Sequence, residues 1–354
     1  MKIKDFQIVS FVSSASPRFA DANHKTRKGV VIIMIVNLKE TAEFLAEHDN
    51  YYILTHQSPD GDTMGSGFGL CYALRKAGKK ANVLCSDDFP KRYGFMYEGY
   101  EPQKFTPETI VAVDVADRKL LGTRLNGHAD YVDLCIDHHI SNEHYAKKLL
   151  LYPDASATCE VLFQVLTEMG TEFDKRIAEC LYTGIATDTG CFKYANTTKL
   201  AHNIAAELMN YDINIELINR EMFDIKSKAR LKVEQYINSA MEYYLDDKCA
   251  MAAVTLDTIK KTGLAQEEFE GIAGMSVQLE GVQVGVIIKE KDEGKFKVSM
   301  RSASDIDVSE ICAKFGGGGH VKAAGCTLEG SLPDIKLRLL SGIAPAMGID
   351  LWLA

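Results

Sequence analysis

The sequence predicts an α/β protein in two parts: a parallel sheet with helices on both faces, then a smaller α/β unit joined to it by a helical connector. Three observations carry this. Short apolar runs alternate with helical spacing from residue 38 to residue 208. Two of those runs, 109–113 and 131–136, are almost unbroken in apolar residues, as strands are when helices cover both faces of a parallel sheet. Beyond residue 246 the pattern changes to two strands around Asp292-Glu293-Gly294, a hairpin signal.

Taken in order, 38–47 has the spacing of an amphipathic helix and 51–55 is a strand. A helix over 65–76 follows, then strands at 81–85, 109–113 and 131–136. Helices follow at 157–168, 175–186 and 199–208. Residues 211–246 are charged, lack Gly and Pro from 212 to 245, and read as the connector. The second unit, 247–348, opens with a strand at 249–256 and a helix at 266–275. The hairpin 283–289/295–301 and a helix at 308–314 complete it. Residues 1–33 read as an N-terminal extension, disordered or a misassigned start, which leaves 34–210 as the first unit.

A chain of 354 residues exceeds one ordinary core, so two domains are expected. The net charge of −9 disfavours capture of a long nucleic-acid duplex and favours a small anionic substrate held by metal. Nine cysteines are scattered without a C-x-x-C pair, the pattern of free thiols in a reducing cytoplasm. The apolar run 30–36 is only seven residues long, against the ~20 of a membrane helix. The reading is a cytoplasmic protein with no membrane partner.

The chemistry concentrates in four segments: His56-Gln57-Ser58-Pro59-Asp60-Gly61-Asp62, Asp114-Val115-Ala116-Asp117, Asp137-His138-His139 and Thr187-Asp188-Thr189-Gly190. Three directly follow strands, the edge at which open α/β sheets bind ligands. Carboxylates and imidazoles without thiolates suit Mn²⁺ better than structural zinc. Asp60 and Asp62, in a loop after the strand, can address two adjacent metals with His56 closing one; the alternative is an aspartate-rich turn capping a helix. Asp114 ends a buried strand, where an unpaired carboxylate is costly, and a bridge between two metals removes that cost. Asp117 is expected to cap or orient. In the second unit, the run Gly316–Gly319 before His320 is either a phosphate-cradling nest or a helix stop. Close backbone approach to a ligand is the preferred reading, with Arg301, His320 and Lys322 as cationic donors.

Together these segments resemble the motif series of the DHH phosphoesterase superfamily, and Gly316–His320 with Ala323-Ala324-Gly325 resembles the DHHA1 signature. The similarity runs from about Met34 nearly to the C-terminus and is greatest to the bacterial nano-RNase and 3′-phosphoadenosine-5′-phosphate (pAp) phosphatase branch. The resemblance implies one Mn²⁺ on His56, Asp60 and Asp114 and a second on Asp62, Asp114, His138 and Asp188, with Mg²⁺ or Co²⁺ as substitutes. It makes Asp114, His138, His139 and Asp188 catalytic. His139, Arg301, Gly317, Gly318, Gly319 and His320 would hold the substrate, His139 lying near the scissile phosphate.

The expected activity is hydrolysis of short oligoribonucleotides to mononucleotides and of pAp to AMP, by a water activated between two metals. Rival readings are a cyclic di-AMP or pApA phosphodiesterase, a RecJ-like single-strand exonuclease, and a nucleotide-binding regulator without catalysis. Extra nucleic-acid-binding domains and a basic groove, expected of the exonuclease, are not evident in the sequence. Intact residues at all four motifs argue against the regulator. The sequence is compatible with a homodimer but does not set the oligomeric state.

Overall fold

The computed structural model describes residues 33–269 and 271–350. The expected extension, 1–33, lies outside these residues except for Ile33. The chain divides into two compact units, one ending at Ile225 and the other beginning at Lys226.

The first unit is built on six parallel strands: β1 (Met34–Ile35), β2 (Tyr51–Leu54), β3 (Ala81–Leu84), β4 (Thr109–Val113), β5 (Leu134–Asp137) and β6 (Lys148–Leu151). Their order across the sheet is β1-β6-β5-β4-β2-β3, with every pairing parallel. The chain leaves β2 toward β3 and then returns to build β4 on the other side. The crevice between the carboxyl ends of β2 and β4 is therefore a topological switch point.

One face of this sheet is covered by the helices Leu38–Glu47, Gly61–Lys76, Thr158–Glu168 and Lys175–Asp188, whose apolar sides form a large core with Tyr51, Ile53, Val111 and Ile136. The opposite face is covered by short helical turns between Arg118 and Tyr131, which bury Leu121, Leu125 and Ala129 against Leu54, Ala112 and Cys135. Both faces being covered explains why the central strands have no polar alternation.

The second unit carries strands β7 (Met241–Tyr244), β8 (Cys249–Val254), β9 (Val284–Asp292), β10 (Lys295–Ser302), β11 (Gly318–His320) and β12 (Ala323–Glu329), in the order β11-β12-β10-β9-β8-β7. Only β8 and β9 run parallel; the other pairings are antiparallel. The helices Val308–Ala313 and Leu332–Ala346 bury Ile311, Ile335 and Leu339 on one face, and Lys228–Ser239 buries Val233 and Ile237 on the other.

Several elements differ from the sequence reading. The helix expected to begin at residue 65 begins at Gly61, because the Asp60 carboxylate caps it. The strand expected from residue 131 begins at Leu134, after a 3₁₀ segment, Asn126–Tyr131. The segment 266–275 is not one helix. It forms two 3₁₀ turns, Gln266–Phe269 and Ile272–Val277, separated by Gly271 at φ +67°. The run 212–245 is not helical throughout: Met241–Tyr244 is an edge strand, whose Met241 and Tyr244 pack on different clusters. Strands β6 and β12 and the helix Leu332–Ala346 are additional to the sequence reading. Among the described residues no helix is long and apolar enough to cross a membrane.

Candidate metal centre

Three neighbouring strands, β5, β4 and β2, deliver the polar residues at their carboxyl ends. His56 lies two residues beyond β2, Asp114 directly follows β4, and Asp137 closes β5 just before His138. The two remaining carboxylates arrive on helices. Asp62 sits in the first turn of Gly61–Lys76 rather than in a loop, and Asp188 in the last turn of Lys175–Asp188. Asp60 Oδ1 accepts hydrogen bonds from Asp62 N and Thr63 N, both at 3.1 Å. It is thus a helix cap as well as a candidate ligand. Asp117 caps the turn Arg118–Leu121 through Lys119 N at 2.8 Å.

The helices meet on glycine. A Cβ on Gly61 would stand 2.2 Å from Thr187 Oγ1, and one on Gly184 would stand 2.2 Å from Cys159 Sγ and 2.7 Å from Asp62 Oδ1. Asp114 has φ +59°, a left-handed conformation rare outside glycine. It is held there by Asp114 N donating to Ile136 O at 3.0 Å and Thr158 Oγ1 donating to Asp114 Oδ1 at 2.9 Å. Such strain concentrates at functional positions.

His56 Nδ1 lies 2.8 Å from Gln57 O, and His138 Nδ1 lies 3.1 Å from Ala155 O. A carbonyl only accepts, so each Nδ1 carries its hydrogen and, in the neutral ring, each Nε2 presents a lone pair. Those lone pairs face carboxylates. His56 Nε2 is 3.6 Å from Asp60 Oδ1 and 3.7 Å from Asp114 Oδ2. His138 Nε2 is 3.3 Å from Asp188 Oδ2, 3.8 Å from Asp114 Oδ1 and 4.0 Å from Asp62 Oδ2. His138 Nε2 is also buried without a hydrogen-bond partner.

Lone pairs facing anions are tolerable only with positive charge between them. A proton can supply it. Burial pulls the His56 pKa down, but Asp114 and Asp60 outweigh burial and lift it to about 11. His138 is likewise lifted to about 10 against burial, by Asp188 first. Burial raises Asp188 to about 6 and drives Asp62 upward, the neighbouring Asp114 adding to both. A divalent cation neutralises the same groups without protonating them. Donors around one ion at ~2.0–2.1 Å stand roughly 3 Å apart, so the observed spacing needs only slight contraction. The residues fit two cations, one among His56, Asp60 and Asp114 and one among Asp62, His138 and Asp188. Asp114 turns a different oxygen toward each histidine.

His139 and Asp114 also stand close, with Nδ1 3.6 Å from Oδ1. The shorter contact decides the ring's role: Nδ1 donates to Asp137 Oδ1 at 2.8 Å. Asp137 further accepts from His138 N at 2.8 Å, His139 N at 3.2 Å and Asn142 Nδ2 at 2.7 Å. That bonding makes Asp137 an orienter rather than a ligand. It raises the His139 pKa against the effect of burial. Asp62 is steered similarly, accepting from Thr158 N at 2.6 Å and Cys159 N at 2.9 Å at the start of a helix, where backbone dipoles favour anions.

Residues 50–185 match the N-terminal domain of the DHH family, and residues 246–340 match the DHHA1 domain. A Thermus thermophilus protein named bifunctional oligoribonuclease and PAP phosphatase NrnA is 34% identical over 298 residues, 82% of this chain and 88% of the relative. The chain belongs to the DHH family. A Bacillus subtilis relative of the same name is 24% identical over 82% of this chain and 92% of its own length. Among solved structures, an exopolyphosphatase-related protein from Bacteroides fragilis aligns with a TM-score of 0.75 and 26% identity, covering 88% of this chain and 95% of that one.

In this DHH protein the structure brings His56, Asp60, Asp62, Asp114, His138, His139 and Asp188 into one cluster. The other expected residues belong to the second unit. There Arg301 pairs with Ala323, and Ala323 pairs with His320. Directly paired residues share a face, so Arg301 and His320 flank a small residue on one side of the sheet. Gly318 pairs with Gly325, which pairs with Ser299, extending that shallow strip.

The glycine run has a largely architectural explanation. Gly316 at φ +74° ends the helix Val308–Ala313, donating to Ala313 O at 3.0 Å. A Cβ on Gly317 would stand 2.2 Å from Gly325 O, and one on Gly319 2.5 Å from Ala323 O. Gly318 alone of the four has open space around it and no positive φ. Lys322, expected as a donor, instead bonds Ser304 O.

Sequence reasoning missed Thr158 and Asn142. Their signals were faint: Thr158 stands at the start of the helical spacing 157–168, and Asn142 stands only three residues beyond His139.

Proposed function

We propose that this DHH protein is a two-metal hydrolase of short oligoribonucleotides and of pAp, giving mononucleotides and AMP. The observation that carries the reading is the posture of Asp114. Its Oδ2 faces His56 Nε2 at 3.7 Å and its Oδ1 faces His138 Nε2 at 3.8 Å, as a carboxylate shared by two cations requires. The names of the Thermus thermophilus and Bacillus subtilis relatives support the substrate class.

Mn²⁺ is the cation that the mixed carboxylate and imidazole set favours. When bound, a metal pair lowers the pKa of a water and neutralises charge on phosphoryl oxygens. The chain's own residues do the rest. His56 and His138, fixed through Nδ1, hold their Nε2 atoms toward the reaction centre. Asp137 and Asn142 orient His139, whose half-exposed ring can donate from Nε2 to a phosphoryl oxygen. In the second unit Arg301 and His320 are the candidate side chains for holding the nucleotide, and Gly318 offers an unobstructed backbone. The protein would act in the cytoplasm.

The test is one substrate panel with Mn²⁺: pAp, di- to pentaribonucleotides, pApA, cyclic di-AMP and a long single strand. Turnover of pAp and of the shortest oligonucleotides should lead. Preference for the long strand would move the assignment to a processive exonuclease.

A further inference from the structure

The segment that follows Asp188 is built with unusual backbone geometry. Gly190, Cys191 and Phe192 are left-handed in succession, at φ +57°, +59° and +61°. Neither Cys191 nor Phe192 adopts that region readily. The conformation is over-determined: Cys191 N donates to Ala186 O at 2.7 Å, Phe192 N to Thr189 Oγ1 at 3.1 Å, and Tyr194 N to Thr189 O at 2.9 Å. The Phe192 ring stacks on His202 with centroids 4.9 Å apart. Asn196 then ties the segment back to the site, donating through Nδ2 to Asp188 O and Ser156 O, both at 3.1 Å. Ser156 adjoins Ala155, the residue that orients His138.

This anchored loop presents an exposed aromatic side chain, Tyr194. The Tyr194 ring lies against the backbone of Gly190, where a Cβ would stand 2.3 Å from the ring. Yet Tyr194 is 61% exposed. A flat aromatic face is thus held beside the backbone two residues beyond a candidate metal ligand. Planar heterocycles stack on such faces whatever their hydrogen-bonding edge, and a ring already fixed in place loses little freedom on binding. We infer that Tyr194 is the platform on which the base of the reacting nucleotide stacks, making it a specificity-determining residue. The inference rests on the nucleotide-hydrolase reading above.

The test compares pAp with its base-free counterpart, ribose 3,5-bisphosphate, in the wild type, Tyr194→Ala, Tyr194→Leu and Tyr194→Phe, each loaded with Mn²⁺. Loss of one base stack corresponds to about 5- to 150-fold. That factor should appear in KM for pAp in the Ala and Leu variants, with kcat within about twofold and the base-free substrate unaffected. Tyr194→Phe should behave as wild type. AMP binding by calorimetry should weaken in parallel, which gives a readout independent of turnover. Equal loss on both substrates, an unchanged KM for pAp, a fully active Leu variant, or a Phe variant as impaired as Ala would each overturn the stacking role. A wild type that hydrolyses neither substrate overturns the hydrolase reading, and the inference with it.

Discussion

The carboxyl edge of the first sheet and the glycine edge of the second differ in what the protein leaves unsatisfied. At the first, His138 Nε2 is buried without a partner and the Asp114 backbone is strained. At the second, three of four glycines are explained by a helix stop and by strand contact. The first edge holds a buried nitrogen with no hydrogen-bond partner; the second spends most of its glycine run on architecture and leaves a shallow strip flanked by Arg301 and His320. Unusual residues therefore signal function most reliably where the fold itself does not consume them.

The sharpest way to break that contrast is Asp114→Ala. Turnover should fall below detection and bound Mn²⁺ should be lost with it, read by metal analysis of the purified variant. Retained Mn²⁺-dependent hydrolysis would remove the bridging role. Asp137→Asn should be milder, lowering kcat about 10- to 100-fold, the range for groups that orient a site residue, with the metals retained.

Metal removal sharpens the same comparison through pH. In the metal-free protein the folded-state pKa values of His56 and His138 stand at about 11 and about 10, above the ordinary 6.5. Their protonated contribution to stability is therefore full below about pH 6.5 and fades as pH rises toward 10–11. Chelated protein should lose thermal stability progressively across that window. Mn²⁺-loaded protein should not, because cations replace the protons. Parallel curves would mean that the metals do not occupy the histidine positions.

The smallest effect separates glycines within one run. Gly317→Ala should destabilise the second unit by about 1–3 kcal/mol, because Gly325 O is backbone and cannot yield. Gly318→Ala should stay within about 0.5 kcal/mol, and any change it causes should appear in KM. Equal destabilisation by the two would show that the run is structural throughout.

Much of the first unit was legible because a strand buried on both faces announces itself as an apolar run, and an aspartate closing that run is conspicuous. Strand β6 was less so. It is four residues long, Lys148-Leu149-Leu150-Leu151, and opens on a lysine. The segment at 241–244 read as helix because edge strands carry polar residues, here Glu242 bonded to Lys336.

By itself the sequence determined the kinds of side chain gathered at the site and the placing of His56, Asp114 and Asp137 at or just beyond strand ends, since residue type and hydrophobic period are local properties. The tertiary structure alone decided that Asp137 orients whereas Asp114 faces both histidines, that Asp62 is held by a helix beginning 96 residues later, and that Gly317 packs while Gly318 lies open. These distinctions turn on hydrogen bonds and close contacts between residues far apart in the chain, which no local pattern records.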